Sequence, residues 1–118
     1  MINEVAFFTP RVPELAEFYG RLLSRGPDES FDGHVEFHLG AVLLLIHKGP
    51  PLNVATTDQF GDFPPEEDHT AFAVADLNAV CANLRESGSP VLGPHEFPWG
   101  VSAYTRDPDG RMVEIVQA

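Results

Sequence analysis

Glu4-Val-Ala-Phe-Phe-Thr-Pro-Arg-Val12 and His69-Thr-Ala-Phe-Ala-Val-Ala-Asp-Leu77 are two copies of one pattern, an alternating apolar run that leads into a helix. A shift of 65 positions overlays Glu4 on His69, Ala6 on Ala71 and Phe7 on Phe72, so a side chain able to bind a metal opens each copy. The second copy ends in Asp107-Pro-Asp-Gly-Arg-Met-Val-Glu-Ile-Val116, a turn followed by a strand that carries Glu114 among apolar neighbours. Two carboxylates and one imidazole on the strands of a duplicated domain make a divalent-metal site the leading idea. Carboxylate oxygen and imidazole nitrogen together suit borderline and hard ions such as zinc, nickel, manganese, iron or magnesium.

Side chains on a strand alternate between its two faces. Glu4, Ala6 and Phe8 therefore share one face of the first strand, with Val5 and Phe7 on the other. In the second copy His69, Ala71, Ala73 and Ala75 share a face opposite Thr70, Phe72 and Val74. Small residues beside His69 leave room for a ligand where larger ones would fill the space.

The first helix is expected from Pro13 to Leu23, with Leu15, Phe18, Tyr19, Leu22 and Leu23 as its apolar stripe and Gly26-Pro27-Asp28 as its stop. The second is expected from Asp76 to Ser87, with Asp76 as N-cap, Leu77, Val80, Cys81 and Leu84 as its stripe, and Gly88 closing it. Further strands are expected at His34–Leu39, Ala41–His47, Val91–Leu92, Val101–Thr105 and Arg111–Val116, with Asp107-Pro-Asp-Gly as a hairpin turn. The helix-facing core is expected to contain Phe7, Leu15, Phe18, Phe72, Val74, Leu77, Val80 and Leu84. Gly49–Asp68 holds four prolines, two glycines, five acids and no base, the composition of a linker. The chain thus divides into a first module at about 1–48, a linker at about 49–68 and a second module at about 69–118, together one domain.

At 118 residues and 43% hydrophobic content the chain can bury one ordinary core without disulfides, which its lone Cys81 could not form in any case. A net charge of −11 argues against nucleic acid, whose affinity rests on Lys and Arg neutralising phosphates; solubility or a high-salt habitat is the ordinary reading of such acidity, and attraction of a cationic ligand the sharper one. The longest apolar run, Ala41–Ile46, is far too short to cross a bilayer, and nothing near Met1 has signal-peptide character, so the expectation is a cytoplasmic protein that engages no membrane.

His69-Thr-Ala-Phe-Ala-Val-Ala-Asp-Leu, Gly88, Pro98-Trp99-Gly100 and Asp107-Pro-Asp-Gly-Arg-Met-Val-Glu-Ile, in this order and spacing, resemble the second module of the vicinal oxygen chelate superfamily. That superfamily includes glyoxalase I, type I extradiol dioxygenases and bleomycin-binding proteins. The resemblance covers nearly the whole chain and implies an α+β fold of two βαβββ modules. Their mixed sheets curve around a cleft, usually within a homodimer, and metal ligands lie on the first and last strands of modules. Unpaired strand edges and apolar surface independently favour a homodimer.

The resemblance assigns metal-ligand positions to Glu4, His69 and Glu114, and by analogy makes Glu114 or Glu4 the catalytic base. The family's fourth ligand, a glutamate on the last strand of module one, is missing from Val42-Leu-Leu-Leu-Ile46; His47, just beyond, is a possible substitute. An arginine that holds a glutathione carboxylate in glyoxalase I is replaced by Phe8, which disfavours a glutathione adduct. Extradiol chemistry would need His at position 4. The resulting expectation is a metal-dependent, glyoxalase-like lyase or isomerase acting on a small oxygen-bearing substrate. The alternative is a non-catalytic drug-binding protein, favoured by the acidity and the lost ligand. Phe8, Phe37, Trp99 and Tyr104 are candidate pocket-lining residues, and His34, His38 and His95 carry no assigned role.

Overall fold

A computed structural model describes residues 1–50, 60–61 and 63–118; residues 51–59 and 62 of the expected linker lie outside the described residues. The element order is β1 (Glu4–Thr9), α1 (Val12–Leu23), β2 (Glu29–Phe31), β3 (His34–Leu39), β4 (Val42–Lys48), β5 (Thr70–Val74), α2 (Leu77–Glu86), β6 (Val91–Phe97), β7 (Gly100–Arg106) and β8 (Met112–Gln117). The strands form two four-stranded sheets, ordered β1-β4-β3-β2 and β5-β8-β7-β6. In each sheet the strand before the helix pairs in parallel with the last strand of its module, and the other pairings are antiparallel. Two βαβββ modules of an α+β fold are thus the architecture.

Local chemistry accounts for several element ends. Asp76 caps α2, its carboxylate accepting from the Ala79 amide at 3.0 Å. Helix α1 leaves helical geometry at Ser24, which is left-handed at φ 55°, two residues before the expected Gly26-Pro27 stop. The Asp107–Gly110 turn closes with the Gly110 amide on the Asp107 carbonyl at 2.8 Å, and Gly110 takes φ 93°, where a side chain would be strained.

Two strands differ from expectation. Three-residue β2 carries too little alternation to be read. Strand β6 runs five residues past the expected end at Leu92, and the register shift between Leu92 and His95 makes Gly93-Pro94 a bulge within the strand.

The helices pack against each other and against one face of each sheet, burying Leu15, Phe18, Tyr19, Leu22, Phe37, Leu44, Ile46, Phe72, Leu77, Val80, Leu84, Val113 and Ile115. Of the expected core residues, Phe7 and Val74 are only partly buried and pack at its border. Tyr19 sits where the modules meet, with its ring 5.4 Å from Phe7, 5.0 Å from Phe18 and 5.7 Å from Phe72. Phe72→Ala should therefore cost about 3–5 kcal/mol, because it empties space that both modules share. Urea unfolding checks this, and a loss under about 1 kcal/mol would contradict the shared core.

The opposite face of the first sheet presents Glu4, Ala6 and Phe8, all exposed, next to half-buried Leu43, Leu45 and His47. Phe37 is not on that face. It alternates with His34, Glu36 and His38, so it points to α1 and is fully buried, which removes it from the candidate pocket.

Candidate functional site

His69 precedes β5, and Glu114 lies on β8 beside it, where the parallel register pairs Glu114 with Ala71. Alanine at that register leaves the imidazole room to reach over the sheet, and His69 Nε2 stands 3.1 Å from Glu114 Oε1. Glu114 is 8% exposed, whereas the His69 side chain keeps 28% of its surface.

The proton on His69 is set by its other neighbour. Nδ1 lies 2.8 Å from the Glu67 carbonyl oxygen, which can only accept, so Nδ1 carries a hydrogen. Nε2 then meets a carboxylate oxygen, and two things make that contact favourable: a second ring proton, or a cation bound to both atoms. Donors at this spacing, each about 2.1 Å from one ion, subtend about 95° at it, within the range divalent ions accept. A ring nitrogen fixed by a backbone carbonyl, with the other nitrogen free for a metal, is how metal-binding histidines are generally oriented.

The segment that presents His69 is anchored by residues the sequence did not single out. Arg106, 6% exposed on β7, grips Glu67 with both terminal nitrogens, at 2.6 and 2.9 Å, and also donates to the Gly110 carbonyl. The Arg106 hydrogen bond holds the Glu67 carboxyl below its usual range and is in turn the main cause that raises the guanidinium. Only the downstream distance between Glu67 and Arg106 hid this pair, since a bidentate arginine–carboxylate contact leaves no local pattern in sequence.

Aromatic side chains roof the carboxylate. Trp99 Nε1 donates to Glu114 Oε2 at 3.3 Å, and its ring stacks on Phe97 at 4.7 Å with planes 2° apart. Tyr104, opposite Glu114 on β7, lies 6.0 Å from the His69 ring and 6.2 Å from Phe97. Burial, then the Glu114 charge, push the Tyr104 phenol above its ordinary value, so it stays a proton donor at neutral pH. Trp99 is 56% exposed, which leaves one face of the stack free. A crevice of about 310 Å³ lined by Phe7, Glu67, Asp68, His69, Thr70, Arg111 and Met112 borders the imidazole. A crevice of about 420 Å³ between α1 and the β2–β3 connection contains none of the candidate residues.

Glu4 sits apart from this pair. It is exposed on the open face of the other sheet, and among the described residues no group of three or more His, Cys, Asp or Glu side chains is placed to hold one metal ion. His47 is remote from Glu4 as well. The β1–β4 register pairs Glu4 with Leu43 and Phe8 with His47, so His47 lies four residues, about 13 Å, farther along the strands. Phe8 is 45% exposed and edges onto His47, its ring 5.8 Å away.

No helix among the described residues is long and apolar enough to cross a membrane. A relative from Synechocystis described as a probable lactoylglutathione lyase is 29% identical over 91 residues, a match that covers 75% of this chain but only 64% of that protein. A lactoylglutathione lyase structure from Agrobacterium tumefaciens superimposes with a TM-score of 0.68 at 23% identity, covering 100% of this chain and 93% of that one. The oxidase ChaP-H1 superimposes with a TM-score of 0.73 at 21% identity, covering 100% and 95%. Two different reactions on one fold leave the choice of chemistry to the site residues. The profile of the Glyoxalase/Bleomycin resistance protein/Dioxygenase superfamily matches residues 1–115, and with its paired βαβββ modules the chain belongs to that superfamily.

Proposed function

We propose that the protein is a divalent-metal-dependent, glyoxalase-like lyase or isomerase, and that His69 and Glu114 hold the ion. The observation that carries this reading is the His69 contact, in which a ring already protonated at Nδ1 turns Nε2 toward a carboxylate 3.1 Å away. A divalent ion there supplies Lewis acidity to substrate oxygens and stabilises charge that develops on them. Glu114 would take a proton from the carbon beside a substrate carbonyl through Oε1 once that atom leaves the ion, while the Trp99 N–H holds Oε2 and limits the swing of the carboxylate. The Tyr104 hydroxyl, kept protonated, lies on the same face to donate to an oxygen. The Phe97–Trp99 stack excludes water and offers an apolar wall to the rest of the substrate.

Glu4 completes the ligand set in this reading from across a homodimer, Glu4 of the partner subunit meeting His69 and Glu114. What supports it is that Glu4 occupies the repeat position equivalent to His69 and is exposed on an open sheet face. Phe8 offers no charge for a glutathione carboxylate, so a small oxygen-bearing substrate other than a glutathione adduct fits better, in the cytoplasm. The Synechocystis relative carries the lactoylglutathione lyase description for itself.

A drug-binding role has its own support, since the half-exposed Trp99 stack and the net charge of −11 suit a cationic aromatic ligand without chemistry. Thermal melts separate the two. At 100-fold excess over Kd, an ion that binds only the native state adds about 2.7 kcal/mol, roughly 10 °C for a domain of this size. His69→Ala and Glu114→Gln should lose most of the manganese(II) response while melting normally without metal. A parent that ignores manganese, nickel, zinc, iron(II) and magnesium, or variants that respond as the parent does, would overturn the metal enzyme. A melt that rises only with a cationic aromatic drug, less so in high salt, would establish the binder.

A further inference from the structure

The open face of the first sheet carries a second group of imidazoles, formed by alternation along β3 and by register across to β4. His34, Glu36 and His38 share that face, and the antiparallel register sets His34 directly opposite His47. Glu36 bridges its neighbours, with His34 Nε2 at 2.7 Å from Oε2 and His38 Nε2 at 3.0 Å from Oε1. The His34 hydrogen bond, then that of His38, hold the Glu36 carboxyl below its usual value, so at neutral pH it accepts and does not donate.

The hydrogen positions follow. His34 must present a proton at Nε2, which in the neutral ring leaves a lone pair at Nδ1. That atom lies 3.0 Å from His47 Nδ1. Phe31 stacks on the His34 ring at 4.9 Å, with planes 13° apart, and Phe8 edges onto His47, so both rings are backed by aromatic walls. A carboxylate that orients one histidine, whose free nitrogen faces a second histidine, is the arrangement of a metal site with its outer partner in place.

We propose that His34 and His47 form a separate binding site for a borderline transition ion such as nickel(II), zinc(II) or copper(II), with Glu36 as its positioning carboxylate. Two nitrogens 3.0 Å apart, each about 2.1 Å from a common ion, subtend about 90° at it, the angle between adjacent ligands of an octahedral or square-planar centre. Binding needs only that the His47 proton pass from Nδ1 to Nε2 through solvent and that the ring swing slightly, so no net proton is released from the neutral pair. Nitrogen donors select against magnesium and calcium. Two protein ligands leave the remaining positions to water or a small ligand. The site does not rest on the function proposed above, for it uses none of that site's residues and lies four residues, about 13 Å, along the first sheet from Glu4.

The experiment is nickel(II) titration of the untagged full chain carrying His69→Ala, read by calorimetry and by paramagnetic broadening of histidine ring protons in NMR spectra. One equivalent should bind, with the His34 and His47 signals broadened and that of His95 unaffected. Adding Glu36→Gln should weaken binding by about 10- to 100-fold, and adding His47→Asn should weaken it at least as much. Circular dichroism checks the fold of each variant, and if His47→Asn unfolds, Glu36→Gln decides the matter alone. No stoichiometric nickel in the His69→Ala protein, or an affinity unchanged in folded Glu36→Gln and His47→Asn variants, would overturn the site. Loss of manganese response in the parent leaves this result untouched, so the two proposals fail separately.

Discussion

Asp107→Ala should destabilise the protein by about 3–5 kcal/mol in urea unfolding, because it strips one buried carboxylate from four donors at once. The side chain is fully buried. Its Oδ2 accepts from the Tyr19 hydroxyl at 2.7 Å and from Arg111 Nη1 at 3.0 Å, and its Oδ1 accepts from the Asp109 and Arg111 amides at 2.9 and 3.0 Å. The substitution orphans a hydroxyl from module one and takes one of its acceptors from a guanidinium of module two in the same spot. Burial, with Asp107 as the next cause, raises the Tyr19 phenol well above its ordinary value, so Tyr19 cannot compensate by ionising. Arg111 loses one of three anchors and keeps Asp109 at 2.9 Å and the Phe8 carbonyl at 3.0 Å, which also leaves it stacked over Phe7 at 4.6 Å. Tyr19→Phe alone should cost less, about 1–3 kcal/mol, since it leaves one acceptor short of one partner. In the double variant the two costs should fall short of additive by more than about 0.5 kcal/mol, the mark of groups in direct contact. Additive losses would mean that Asp107 serves only its own turn and does not join the modules.

That joint was half legible in the sequence. Asp107-Pro-Asp-Gly reads as a turn from its residue types alone, but its tie to Tyr19 spans 88 positions and leaves no local trace. The same division recurs elsewhere. Alternation in Glu4–Thr9 and His69–Val74 gives the correct faces of β1 and β5 because one side is buried against helices and the other is not. The ring of Phe37 has the chemistry of a pocket residue, but its alternation with His34 and Glu36 sends it toward the core. The same alternation, His34-x-Glu36-x-His38, was the available signal for the imidazole cluster. That signal is weak, because charged residues on a short strand resemble an exposed face. Pairing with His47 was beyond reach, since it depends on the β3–β4 register and not on spacing. The repeat makes Glu4 and His69 equivalent, yet equivalence within a repeat is not proximity. Whether equivalent residues meet depends on how modules pack, and here the helices pack together while Glu4 stays exposed on the far face of the first sheet.

A heterodimer of Glu4→Gln and His69→Ala chains, co-expressed and isolated with two different removable tags, should bind one manganese(II) per dimer with parental affinity, whereas each variant homodimer binds none tightly. The expectation follows from the proposed site, which takes Glu4 from one subunit and His69 with Glu114 from the other. In the mixed dimer one site draws Glu4 from the His69→Ala chain and His69 from the Glu4→Gln chain, so all its ligands are native. The second site collects both substitutions and is lost. A two-fold interface makes this bookkeeping unavoidable, because each contact occurs twice with the roles of the subunits exchanged. A site built within one chain behaves otherwise, as every chain in the mixture carries one damaged ligand and no dimer regains an intact set. Manganese suits the measurement because a carboxylate-rich set attracts it while the His34–His47 pair favours softer ions. A heterodimer that binds no better than its parents would remove Glu4 from the cross-subunit site, and light scattering that shows a monomer at micromolar concentration would remove the interface itself. Recovery of one site per dimer would fix both, and would explain why a ligand that the repeat marks as equivalent to His69 stands alone on its sheet in a single chain.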